Sequence, residues 1–109
     1  MPDPQRGEVW LVDLGMAAKV RPALVFSIPV TVADRALVTL VPHTTAVRGS
    51  QFEVACEARF LRAGVFNVQS LVTVPQPKLF RKLGALSLDE LRAVETAVRT
   101  WLGLQGASA

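Results

Sequence analysis

The stretch RPALVFSIPVTVADRALVTLVPHTT, Arg21 to Thr45, holds two apolar runs of strand length on either side of a polar turn. Arg21 to Ile28 carries one proline at its start, where a missing amide is tolerable, and is then nearly continuous in apolar residues up to Pro29. Ala36 to Pro42 is dominated by valine, leucine and threonine; its β-branched residues disfavour a helix, and Pro42 closes the run. Two such runs joined across Thr31 to Arg35 predict an antiparallel hairpin. In a hairpin the start of one strand lies beside the end of the other, so Arg21 should neighbour Thr44.

The flanks extend the same pattern. Glu8 to Leu14 (EVWLVDL), bounded by Gly7 and Gly15, mixes apolar with acidic residues as a partly solvated strand does. Gln51 to Cys56 (QFEVAC) alternates, placing Phe52 and Val54 on one face and Glu53 on the other. Gly64 to Val74 (GVFNVQSLVTV) is β-rich but interrupted by Asn67, Gln69 and Ser70, which fits two strands around a bend or one long bulged strand. The character then changes: Ser87, Leu88, Asp89 and Glu90 form a capping box, and Leu91, Val94, Val98 and Trp101 recur at spacings of three and four. An amphipathic helix from Leu88 to Leu102 is expected, stopped by Gly103, with a frayed tail after it. The fold class is mainly β (α+β): five to seven short strands in a small bent sheet or barrel, then one terminal helix. Parallel βαβ architecture is excluded because no helices intervene between the strands.

At 109 residues the chain has the size of one domain, residues 1–109, with one core expected. Half of the residues are hydrophobic and 19% are charged, too apolar a balance for a disordered chain. The net charge of +3 is divided unevenly, +4 over residues 1–86 and −1 over the remainder. Arg48, Arg59, Arg62, Lys78, Arg81 and Lys82 fall at expected loops or strand ends, where a nucleic-acid groove would want them. One cysteine, Cys56, and one histidine, His43, leave no disulfide framework and no thiolate zinc cluster, so no metal or cofactor is expected. The opening MPDPQRGEVW does not read as a secretory leader and no run reaches membrane-spanning length, so a soluble cytoplasmic protein is expected.

No nucleophile triad motif, P-loop or dinucleotide fingerprint is present. What remains is the cluster that the hairpin assembles: Arg21 with His43, Thr44 and Thr45. A planar guanidinium grips two phosphate oxygens and stabilises charge that grows on them, and a threonine adds one donor. In RNA the adjacent 2′-hydroxyl is itself a nucleophile, so a protein need only align it and neutralise the phosphorane. The same residues also admit plain structural roles: Arg21 as a solvated edge charge, the threonines as turn residues, His43 as a structural histidine. Cys56, Trp10 and Phe66 read first as core residues.

In order along the chain, RGEVWLVDLG (Arg6 to Gly15), RPALVFS (Arg21 to Ser27), VPHTT (Val41 to Thr45), GVFNVQS (Gly64 to Ser70), KLGAL (Lys82 to Leu86) and a last helix ending in WLGL resemble the MazF/PemK toxins. That resemblance implies an SH3-like barrel with a C-terminal helix, a homodimer and a cognate antitoxin peptide that occludes the groove. It also implies a metal-independent endoribonuclease, an mRNA interferase that cuts single-stranded RNA at a short sequence and leaves 2′,3′-cyclic phosphate and 5′-hydroxyl ends. By position it makes Arg21 and Thr44 catalytic and sets Gln69 and Ser70 where the family's substrate-side polar residues fall; His43 is a candidate helper, and Lys19, Ser27 and Thr45 are further candidate substrate-binding residues. Two alternatives share the barrel: a non-catalytic nucleic-acid-binding domain and a DNA gyrase poison. The chain departs from the family in its short Met16 to Val20 loop, in Glu8 where aspartate is commoner, and in Val68 where the family carries an acid.

Overall fold

The computed structural model describes residues 3–15 and 20–104. Seven strands and one helix follow in chain order: β1 (Glu8–Asp13), β2 (Val20–Val25), β3 (Leu37–Thr44), β4 (Glu53–Ala55), β5 (Val65–Asn67), β6 (Val72–Pro75), β7 (Leu79–Ala85) and α1 (Leu88–Leu102). The strands run β4-β5-β3-β2-β1-β7, with β6 also paired to β3, and every pairing is antiparallel. β4 and β7 end the path unjoined, so the mainly-β architecture is as expected while the barrel stays open. No described helix is long and apolar enough to cross a membrane.

The hairpin of β2 and β3 forms around the expected turn, where Thr31 and Asp34 bond each other through main chain and side chain. Gly64 to Val74 resolves into two strands, because the Asn67 side chain accepts the Gln69 amide and starts a 3₁₀ turn at Val68–Ser70. The helix has the expected bounds, with both halves of the Ser87 and Glu90 capping box formed and Gly103 in the left-handed conformation, φ 70°. β7 is the strand that the sequence reading did not assign. Its stretch LFRKLGA is largely exposed, carries two cations and a glycine, and pairs only with β1 across two bulges.

The expectation of one core is corrected to two clusters on opposite faces of the same sheet. Side chains alternate across a strand, so Val9, Leu24 and Val41 face α1 and meet Leu91, Val94 and Val98, together with Phe66 and Val68. Their neighbours Trp10, Ala23, Val25 and Leu40 face the other way and pack with Val74 and Leu79. A short chain supports both clusters because a bent sheet buries its two faces in turn, under the helix and within its own curve. Trp10 and Phe66 are buried members of these clusters, as their core reading anticipated. Cys56 sits half-buried at the helix-side cluster, where burial and then Glu90 push its thiol up to about 11.

Candidate active site

Two prolines shape the mouth of the hairpin. The β2–β3 ladder spans Val25↔Leu40, Leu24↔Val41 and Ala23↔Pro42 and goes no further. Pro22 and Pro42 lack amide donors at this point. Beyond it β2 continues against β1, with Arg21 opposite Val12, while His43 and Thr44 of β3 pair with Phe66 and Val65 of β5. Continuing the β2–β3 register by two residues would set Arg21 opposite Thr44. Here β2 keeps its pairing with β1 but loses β3, β3 goes on against β5, and Arg21 and Thr44 both line the groove at this end.

That groove has a volume of about 540 Å³ and is lined by Arg21, Pro42, His43 and Thr44 together with Leu14, Ala46, Arg48, Ser50, Glu53, Asn67, Gln69, Ser70 and Val72. Of the residues singled out in the sequence, Arg21, His43, Thr44, Gln69 and Ser70 are thus brought to one place. Thr45 is exposed and flanks the groove without lining it. Ser27 lies elsewhere, accepting the Thr39 amide at 2.9 Å near the start of β3. Lys19 and the Met16–Lys19 stretch fall outside the described residues. Among the expected basic-rim residues only Arg48 lines the groove; Lys78 and Lys82 pair instead with Asp13 and Glu8.

The individual groups are set as follows. Arg21 forms no ion pair with any carboxylate among the described residues. The Thr44 Oγ1 accepts the Ala46 amide at 3.1 Å, which fixes the side chain and leaves its own hydroxyl proton to donate. His43 is only 4% exposed, stands edge-on to Phe66 with ring centres 5.1 Å apart, and has a buried Nε2 with no hydrogen-bond partner among the described residues. Burial, and secondarily the Arg21 charge, lower its pKa, so the ring is neutral at pH 7. Gly64 makes this packing possible: a Cβ there would come within 2.2 Å of the Thr44 carbonyl oxygen and 2.8 Å of His43 Cε1.

Sequence reasoning did not single out Ser50, Glu53 or Asn67 as lining residues, although the alternation of QFEVAC had put Glu53 opposite Phe52 and Val54. A neutral imidazole, a tethered hydroxyl and an arginine without a carboxylate partner make a site for an anion whose charge grows during reaction. The one acid in it, Glu53, is fully engaged by backbone amides.

The sequence profile of the PemK-like, MazF-like toxins of type II toxin-antitoxin systems matches residues 5–102. The chain is 31% identical over 98 residues to the probable endoribonuclease MazF5 of Mycobacterium tuberculosis, covering 87% of this chain and 89% of that protein. Its fold superposes with a TM-score of 0.80 on a mycobacterial endoribonuclease solved in complex with its cognate antitoxin, at 30% identity over 93% of this chain and 96% of that one. It also superposes with a TM-score of 0.76 on the M. tuberculosis toxin MazF-mt6, at 28% identity over 88% and 96% of the two chains. With nine-tenths of its length matched in sequence and the same fold, this chain belongs to the PemK/MazF family of toxins, the endoribonuclease family of type II toxin-antitoxin systems.

Proposed function

We propose that this protein is a metal-independent endoribonuclease that cuts single-stranded RNA, messenger RNA foremost, at a short sequence. The observation that supports the proposal is that Arg21 and Thr44 both line one groove. In this reading the ribose 2′-oxygen attacks the adjacent phosphorus while its proton leaves. The bond from phosphorus to the 5′-oxygen breaks, that oxygen takes up a proton, and a 2′,3′-cyclic phosphate and a 5′-hydroxyl result. Arg21 holds the phosphate and stabilises the charge of the phosphorane, and Thr44 donates its free hydroxyl proton to a phosphate oxygen.

Neither residue has an ordinary pKa suited to deprotonating a ribose hydroxyl, so electrostatic stabilisation is their first role. His43 acts as a helper by holding the end of β3 in place between Phe66 and Gly64. Gln69 and Ser70 flank the phosphate chain from the 3₁₀ turn. The nucleophile belongs to the substrate, so no metal is needed to generate it. By likeness to the mycobacterial endoribonuclease solved with its cognate antitoxin, we assign a cognate antitoxin as protein partner; a homodimeric state and a cytoplasmic location are assigned from the family resemblance.

The test is incubation of purified protein with a mixed RNA pool, with and without EDTA, followed by mapping of both new ends. Cyclic phosphate and 5′-hydroxyl ends at a recurrent sequence, undiminished by EDTA, are expected. Loss of cutting on chelation, or 5′-phosphate ends, overturns the mechanism.

A further inference from the structure

Glu53 is an acid in a groove proposed to take a polyanion, and charge alone makes it a liability there. Its carboxylate, however, does not face outward as a free charge. Oε1 accepts the amides of Gly49 at 2.7 Å and of Arg48 and Ser50 at 3.1 Å, and Oε2 accepts the Arg48 amide again at 3.1 Å. Three successive amides converging on one anion form a concave nest, and Gly49 supplies the left-handed backbone that such a turn requires, φ 83°. Burial raises the pKa of the Glu53 carboxyl, but the Arg48, Gly49 and Ser50 amides and, after them, the Arg48 charge outweigh it and hold the group below its ordinary value. It is therefore an ionised acceptor at neutral pH.

The turn so held leads directly from the proposed catalytic strand. Thr44 ends β3, its hydroxyl oxygen accepts the Ala46 amide, and four residues on Arg48 lines the groove that Arg21 also lines. Arg48 is exposed and forms no ion pair with a described carboxylate. Glu53 holds its backbone through the amides and attracts its guanidinium by charge, but without an ion pair, so the side chain still reaches into the groove.

We propose that Glu53 is a positioning residue for RNA binding: by closing its carboxylate over the Arg48, Gly49 and Ser50 amides, it fixes the β3–β4 connection so that the Arg48 guanidinium meets a phosphate beside the scissile one. This role rests on the ribonuclease reading above but is separable from it by experiment. Simple electrostatics predicts the opposite sign, because removing an acid from the groove should tighten binding of a polyanion.

The measurement is the Kd for a short random-sequence 2′-O-methyl RNA pool, which binds but offers no nucleophile, alongside KM and kcat on cleavable RNA. Glu53→Gln should weaken binding and raise KM about fivefold to tenfold, with kcat little changed. Gly49→Ala, which strains the turn but keeps the acid, should do the same. Arg48→Ala should match them and flatten the salt dependence by about one phosphate contact. In the Arg48→Ala background Glu53→Gln should add nothing further. Unchanged or tighter binding in Glu53→Gln, additive effects in the double variant, or a fall in kcat at constant KM each overturn the proposal. Gly49→Ala carries the test should Glu53→Gln not fold. If wild-type protein cuts no RNA while Glu53→Gln still weakens the 2′-O-methyl complex, the ribonuclease reading fails and the positioning role stands.

Discussion

Arg6, in the turn before β1, and Arg21, near the start of β2, lie at opposite ends of the β1–β2 pair and are treated in opposite ways. Arg6 pairs with Glu95 of α1, donates from Nε to the Phe26 carbonyl at 2.9 Å and lies 5.0 Å from the centre of the Phe26 ring. Lys82 and Lys78 are likewise committed, to Glu8 at 2.9 Å and to Asp13 at 3.9 Å. Arg21 has no carboxylate partner among the described residues, and the acid nearest in role, Glu53, is occupied by amides. A cation that already has its anion serves adhesion between elements, whereas an arginine that lines a groove without a carboxylate partner is able to take a phosphate. The first kind should carry stability and the second kind turnover.

Replacing Arg21 by alanine makes the widest separation. An anchor for transition-state charge contributes about 10²–10³ in rate, so cleavage of an RNA pool should fall by at least that factor. A strand-end arginine without an ion pair contributes little to folding, and the melting temperature should hardly move. Near-wild-type cutting by Arg21→Ala would remove the assignment.

Gly64→Ala attacks the groove from beneath and blurs the separation on purpose. The new methyl group would meet the Thr44 carbonyl and the His43 ring, so the end of β3 must shift. Overpacking of this kind costs about 1–3 kcal/mol, and displacing a reacting group lowers the rate by about tenfold or more. Calorimetry together with single-turnover cleavage should therefore show both losses in one variant. A drop in stability with full activity would mean that Thr44 is not held in its working place by this packing.

Arg6→Ala is the reverse of Arg21→Ala. The ion pair with Glu95 is 30% and 34% exposed at its two side chains, so solvent screening limits it, and with the Phe26 contacts the loss should be about 1 kcal/mol. That corresponds to about 4–8 °C in melting temperature for a domain of this size. Cleavage measured well below the transition should be unchanged, and a large loss of activity would show that the helix seam communicates with the groove.

Those contrasts follow how legible the chain is. Composition and patterning located β1 to β4 and the helix and left Gly64 to Val74 open between two strands and one, while the hairpin argument set Arg21 and Thr44 at one end of the hairpin, where both line the groove although the β2–β3 ladder stops at Ala23↔Pro42. β7 was hidden because an edge strand needs no alternation: it pairs on one side only and leaves Phe80, Arg81 and Lys82 exposed. The continuation of β3 against β5 past Pro42 was equally hidden, since a proline shows where a ladder stops but not which strand comes next. Ser27 shows the converse: a hydroxyl in a quoted motif is spent on the Thr39 amide, which only the fold could reveal.

His43 gives the smallest and most selective contrast, because its effect should appear only as a slope against pH. Its folded pKa lies below the ordinary 6.5, through burial first and the Arg21 charge second. The unfolded chain then binds a proton before the folded one does, so the folded state is at full stability above 6.5 and loses stability as pH falls toward the depressed value. The carboxylates of Glu8 and Glu53 also titrate lower in the folded state, but their unfolded reference is 4.5, so the window between 4.5 and 6.5 belongs mainly to the imidazole. Melting temperatures across that window should decline for the wild type and stay flatter for His43→Gln, whose side chain cannot charge. Removing the Arg21 charge as well should let the wild-type imidazole titrate closer to its ordinary value, and a slope in Arg21→Ala as steep as in the wild type would mean that burial alone keeps His43 neutral.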